Sequence, residues 1–188
     1  MADPVELIGN WVTNKPFTYS GVAVGGWERY VQLDFYIQYT LVHQQPSSLE
    51  VNVFADQAQP PQNRLRVDFV LDATPNLVAA LVELKVYNWS TEAAANYWTR
   101  LRSDVLKLRG DQLALLAPYN GYGRWVVALA NFSELRRAYD ATGTWTFDQL
   151  EAHLATLVTA KEFDHVLYPI GPTENTWVVL SSMRVPPA

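Results

Sequence analysis

The chain contains no cysteine, which excludes a disulfide framework and any thiolate metal centre. Long apolar runs are also missing. The apolar stretches are short and interrupted, so none is suited to crossing a membrane. The first residues, Met1 to Glu6, carry no basic region leading into an apolar stretch, so no secretory signal is expected. Together these absences are compatible with the cytoplasm, which is the expected location. Histidine is scarce: His43, His153 and His165 are scattered and have no metal-ligand spacing. There is no Gly-x-Ser-x-Gly elbow and no Walker phosphate loop, and Gly21 to Gly26 lacks the Gly-x-Gly-x-x-Gly order. Asn88-Trp89-Ser90 and Asn131-Phe132-Ser133 match glycosylation sequons, which carry no weight without an export signal. No internal repeat, low-complexity tract or long linker is visible.

What is present reads as one globular domain. The 188 residues are 49% apolar and only 18% charged, enough to bury a single substantial core. The net charge of −5 argues against broad, sequence-blind binding of nucleic acid. Its distribution is uneven: Arg64 to Arg109 carries seven basic and five acidic residues, a local +2 that leaves −7 for the remainder.

Asp3-Pro4 predicts a capped helix from Val5 to Val12, and Lys15 to Gly26 reads as loop. From Val31 to Leu41 the odd positions are apolar, which favours a strand. The sixteen residues from Trp27 to Val42 nevertheless lack Gly and Pro, a length ordinary for a helix. Strands are expected at Leu49 to Phe54, Leu65 to Asp72 and Val78 to Tyr87, the last a buried-type run broken only by Glu83 and Lys85. A helix follows from Ser90 to Arg109, with Gly110 ending it, and then a strand from Trp125 to Ala130. Short helices are predicted at Ser133 to Tyr139 and, behind the capping box Thr146-Phe147-Asp148-Gln149, to about Thr159. Two strands, His165 to Ile170 and Thr176 to Arg184, flank a turn at Gly171 to Asn175.

One constellation has the makings of a reaction centre. Asp68 and Glu83 lie on consecutive strands joined by the short connection Ala73-Thr74-Pro75-Asn76. A hairpin closing about Pro75 sets Asp72 against Leu77 or Val78, and Asp68 against Val82 or Glu83. Directly opposed residues have Cβ atoms about 4.5–5.5 Å apart, a separation that suits two carboxylates sharing one hard cation. Lys85 projects from the same strand face as Glu83. A lysine among carboxylates stays protonated, so orientation and charge stabilisation suit it better than general-base work. Glu-x-Lys in a strand is also a common same-face ion pair. Its apolar flanks and the upstream aspartate are what raise it above that. Tyr119, Tyr122 and Trp89, in loops, are available to stack on bases.

At these residues the chain resembles the PD-(D/E)XK nuclease superfamily, the restriction-endonuclease-like fold. The resemblance rests on Asp68 in Arg66-Val67-Asp68-Phe69-Val70-Leu71 and on Glu83-Leu84-Lys85, with Val67 standing where the family name has proline. It also rests on the element order helix–three strands–helix–strand from Trp27 to Ala130. The resemblance implies an α/β fold with a mixed central sheet flanked by helices, a core over about 27–130 and a C-terminal extension over about 131–188. It makes Trp27 to Val42 a helix. It also implies Asp68, Glu83 and Glu28 as metal residues for Mg²⁺ or Mn²⁺, with Lys85 completing the catalytic set. Gln32 on the first core helix, and Arg100, Asp104 and Lys107 on the second, are the implied accessory residues; a solvent-facing Glu28 and an exposed salt-bridge ladder are the bland alternatives. The implied activity is hydrolysis of nucleic-acid phosphodiesters, DNA ahead of RNA, with no membrane partner and with room for a homodimer or a protein partner. Two other readings stand beside it: a catalytically inactive interaction module on the same fold, and a hydrolase of nucleotides rather than polymers.

Overall fold

A computed structural model describes residues 3–13, 27–42, 44, 47–55, 65–87, 94–110, 114–131, 148–149, 152, 163–169 and 177–186. Helix α1 spans Pro4–Thr13 and starts as expected, with Asp3 Oδ1 accepting the Glu6 N–H at 2.9 Å. Helix α2 spans Trp27–Tyr36 and runs on as a π-helical turn, Ile37–Val42. Val31, Phe35 and Tyr39 are buried, whereas Leu33 and Ile37 between them are 48% and 37% exposed. The apparent alternation is therefore a helical i, i+4, i+8 stripe with two apolar residues left on the outer face. Helix α1 is tied to α2 where Trp11 Nε1 donates to Asp34 Oδ2 at 2.9 Å and Tyr39 Oη to the Leu7 carbonyl at 2.6 Å.

Among the described residues six strands form one mixed sheet: β1 (Ser47–Val51), β2 (Val67–Leu71), β3 (Ala80–Val86), β4 (Gly123–Asn131), β5 (Asp164–Pro169) and β6 (Trp177–Arg184), in the order β1-β2-β3-β4-β6-β5. Of these six, β3 and β4 pair in parallel, and helix α3 (Ala94–Arg109) lies between them in the chain, the kind of connection that a parallel pair requires. Strands β5 and β6, from the predicted extension, join the sheet through β4.

The sheet buries both faces. Val82, Leu84 and Val86 pack with Phe69 and Leu71 against Val31 and Phe35 of α2 and Ile8 and Trp11 of α1. Leu81, Val70, Val126 and Ala128 pack against Tyr97, Leu101 and Leu108 of α3. Even positions of β3 thus face α1 and α2, and odd positions face α3. Glu83 and Lys85 are odd, so the apolar packing of the sheet delivers both to the α3 side.

Several boundaries differ from the expectation. The first strand is β1, Ser47–Val51, and does not reach Phe54. Asn52 Oδ1 accepts the Phe54 N–H at 3.2 Å, a local turn that sends Phe54 into an isolated bridge with Leu115. Leu71 pairs with Ala80, so the hairpin register is displaced slightly from closure about Pro75, which had set Asp72 against Leu77 or Val78. Thr74 and Leu77 form the closing bridge instead. Strands β2 and β3 are shorter than expected and β4 is longer. Asp148, Gln149 and Ala152 are helical. The remainder of that helix, the 133–139 helix, the 15–26 loop, the 90–93 start of α3 and the 171–175 turn lie outside the described residues. No helix among the described residues is long and apolar enough to cross a membrane.

Helix α3 ends as its sequence requires. Gly110 has φ 88°, a left-handed conformation suited to glycine, and Arg124 Nη1 donates to the Leu108 and Arg109 carbonyls at 2.9 Å each. This cap holds the turn that carries Lys107. Arg124→Met is expected to lower unfolding free energy by about 1–2 kcal/mol, read by urea denaturation; an unchanged midpoint and slope would show that the cap is not needed.

Candidate functional site

The site begins where the β2–β3 hairpin opens. Pairing runs through Leu71–Ala80, Val70–Leu81 and Phe69–Val82, and one further step sets Asp68 opposite Glu83. Beyond Val82, two N–H groups of β3 meet side-chain carboxylates. Leu84 N donates to Asp68 Oδ2 at 2.7 Å, and Val86 N donates to Glu28 Oε2 at 3.1 Å. On the other flank of β2, Leu49 pairs with Phe69 and Val51 with Val67, which places Glu50 opposite Asp68. Glu50 has φ 53°, an uncommon left-handed backbone for a residue other than glycine. Its carboxylate is held by Arg29 Nη1 at 2.8 Å. Both strands beside Asp68 thus depart from regular sheet geometry at its level.

Charges from both helical layers meet in this opening. Glu28 comes from the start of α2, Lys85 and Glu83 from β3, and Arg100, Asp104 and Lys107 from one face of α3. Lys85 Nζ lies 3.4 Å from Glu28 Oε1 and 3.3 Å from Asp104 Oδ2. Arg100 Nη2 lies 3.0 Å from Glu28 Oε2. Lys107 Nζ lies 2.7 Å from Glu83 Oε1 and 3.7 Å from Asp104 Oδ1, and donates to the Arg66 carbonyl at 3.0 Å. Glu83 is 2% exposed, an unusual depth for a carboxylate. Its Oε1 is paired in charge, yet among the described residues no donor approaches it in hydrogen-bond alignment; the same holds for Asp104 Oδ2.

Burial dominates the acid–base behaviour of the cluster. It pushes the Asp68 carboxyl up to about 6, even though the Leu84 N–H and the nearby lysines favour the ionised form. Glu83 is pushed well above the usual carboxylate range, first by burial and then by the negative charge of Asp68. For Lys85 burial works against the ammonium, but Asp104, Glu28 and Asp68 outweigh it and raise its pKa, so it stays protonated. Two carboxylates are thus strained toward their neutral forms beside a lysine fixed as a cation.

Of the residues singled out by sequence, Asp68, Glu83, Lys85, Glu28, Arg100, Asp104 and Lys107 converge here. Glu28, partly exposed, accepts from the Val86 N–H, Asp104 and Lys107 of α3 reach β3 side chains, and Arg100 stays exposed at the rim. Gln32 is buried one turn beyond Glu28 and accepts from Arg29 at 3.4 Å, which makes it a neighbour of the Arg29–Glu50 clamp. Tyr119 and Tyr122 sit near Gly123, at the opposite end of the β3–β4 pair. Their rings pack edge to face at 5.4 Å, and the Tyr122 hydroxyl donates to Asp72 at 2.8 Å. Those contacts give both rings a structural role. Trp89, His43 and His153 lie outside the described residues. The Arg29–Glu50 clamp left no sequence signal, because a left-handed residue other than glycine or asparagine in a strand follows no propensity rule. Asp68 and Glu83 are the pair with the donor chemistry for a hard divalent cation. Both Glu28 oxygens are engaged by donors, and no group of three or more His, Asp or Glu able to hold a metal occurs among the described residues.

The raised carboxyls have a direct stability consequence. Because Asp68 binds its proton more tightly folded than unfolded, its ionisation costs stability above about pH 6, and the cost is relieved as pH falls toward 4. In chelator-treated protein the melting temperature is expected to rise from pH 7.5 to pH 5. Asp68→Asn, which keeps an acceptor for the Leu84 N–H, is expected to stabilise the protein at pH 7.5 by about 2–3 kcal/mol and to flatten part of that rise. A destabilised Asp68→Asn protein at pH 7.5 would contradict this.

Comparisons of the chain with protein-family models, with curated proteins and with solved structures found no significant match, so any functional reading rests on the residues and geometry described above.

Proposed function

We propose that the chain is a metal-dependent phosphodiesterase of the PD-(D/E)XK, restriction-endonuclease-like type, acting on nucleic acid, DNA ahead of RNA. The observation that carries this reading is the juxtaposition of Asp68 and Glu83 in the opened hairpin with Lys85 on the Glu83 face. The arrangement of α2, three antiparallel strands, α3 and the parallel strand β4 supports it.

The donor set fits a hard divalent cation such as Mg²⁺ or Mn²⁺. Asp68 and Glu83 supply only oxygen, and Glu83 Oε1 is buried without an aligned donor. Mg²⁺ binds through one or two carboxylates and keeps several waters, so a third protein carboxylate is not required. Glu28, with both oxygens engaged, then serves as a positioning residue for Lys85. Four carboxyl groups (Glu28, Asp68, Glu83, Asp104) face three cations (Lys85, Arg100, Lys107), so a dication would leave the cluster positive whether or not Glu83 is ionised. When bound, the ion supplies Lewis acidity to a phosphoryl oxygen and makes a coordinated water more acidic.

The protein's own groups do the rest. Lys85 is held from both sides by Glu28 and Asp104 and remains an ammonium, so it stabilises the negative charge that grows on the phosphoryl oxygens during attack. Arg100, whose side chain is 44% exposed, is the cation of this cluster most open to an approaching phosphate. Incubation with single- and double-stranded DNA and RNA plus Mg²⁺ or Mn²⁺ is expected to give metal-dependent cleavage. Asp68→Ala and Lys85→Ala are each expected to lower the rate by about 100-fold or more. Absence of cleavage of every substrate, or variants that cut like wild type, would sink the proposal.

A second reading, an inactive interaction module on the same fold, is favoured by the internal pairing of Glu83 with Lys107 and of Glu28 with Lys85 and Arg100. It predicts no Mn²⁺ binding by calorimetry, whereas the nuclease reading requires it.

A further inference from the structure

Lys107 has three N–H groups, and three acceptors surround its Nζ: Glu83 Oε1 at 2.7 Å, the Arg66 carbonyl at 3.0 Å and Asp104 Oδ1 at 3.7 Å. The carbonyl accepts a hydrogen bond, and the shortest contact of the ammonium is with Glu83 Oε1. Burial pushes Glu83 toward its neutral form, and the Lys107 ammonium 2.7 Å from Oε1 opposes that push and favours the carboxylate. The oxygen that Lys107 neutralises belongs to the carboxylate whose chemistry suits a divalent cation. An ammonium and a dication against the same carboxylate repel each other, so the two compete for it.

Building on the nuclease reading, we infer that Lys107 is the resident counter-ion of Glu83, an internal monovalent cation that a divalent metal displaces when it binds. The exchange is purely ionic, with no covalent bond made or broken. Displacement needs no movement of α3, because the Arg66 carbonyl and Asp104 still hold the ammonium after Glu83 lets it go. Metal affinity is then set by competition with this side chain. Removing the charge leaves Glu83 uncompensated in the metal-free protein and empowers the metal in the same step.

The test compares wild type with Lys107→Met and Lys107→Gln, using Mn²⁺ titration by calorimetry and melting temperature with and without Mn²⁺. The expected result has three parts. Wild type binds Mn²⁺, both variants bind it about tenfold or more tightly, and both melt lower than wild type in chelator but recover most of the difference in saturating Mn²⁺. Variants that bind Mn²⁺ no more tightly than wild type overturn the inference while leaving the nuclease reading intact. So do variants that stay unfolded even in saturating Mn²⁺, because the metal is proposed to replace the ammonium. If wild type itself binds no Mn²⁺, both the inference and the nuclease reading fail.

Discussion

Backbone N–H groups in a buried strand must find acceptors, and beyond Val82 those of β3 find them in side chains. Leu84 N takes Asp68 Oδ2 and Val86 N takes Glu28 Oε2. From this substitution the rest of the site follows. Asp68 and Glu28 are drawn in because they satisfy the backbone, and the acids gathered there need cations. The polar face of α3 supplies Arg100 and Lys107, and β3 itself supplies Lys85. A regularly continued hairpin would have met these donors with strand carbonyls, leaving no physical reason for buried acids. Opening the hairpin creates the demand for negative charge.

Much of this was legible in the sequence because the strands obey period two. Glu83 and Lys85 share a face whatever the fold, and the short 73–76 connection fixes the partner of Asp68 to within a residue. The observed pairing ends at Phe69–Val82, and continuing it by one step points to Glu83. The α2 stretch was harder. Its apolar residues at 31, 33, 35, 37 and 39 satisfy a strand pattern as well as a helical one, and only exposure of Leu33 and Ile37 separates the two. Physically, a helix can leave apolar residues on its outer face at modest cost, so alternation alone does not identify a strand. The end of β1 was missed because one side chain, Asn52, turns the backbone locally.

What pattern reading could not supply was the pairing within the site. Asp104 and Lys107 at i, i+3 on a helix look like any surface ion pair. Only the packing of Leu101 and Leu108 against the sheet turns that face toward Glu83. Similarly, nothing in the residues around Glu50 announces a left-handed backbone, which arises from the tertiary demand to bend β1 beside Asp68 while Arg29 holds the carboxylate. Both features depend on contacts between segments distant in sequence, where local propensity carries no information.

The electrostatics also bear on how an acidic protein would meet a polyanion. With a net charge of −5 the chain gains little from the counterion release that drives non-specific nucleic-acid binding. Of the seven basic residues from 64 to 109, Lys85, Arg100 and Lys107 are paired with the acids of the cluster. On the proposed reading a bound dication makes the cluster positive and releases Lys107 from Glu83 at the same moment. Affinity for a phosphodiester would then be acquired with the metal rather than carried permanently on the surface. On that reading the site would accept substrate only in the state competent to cut it.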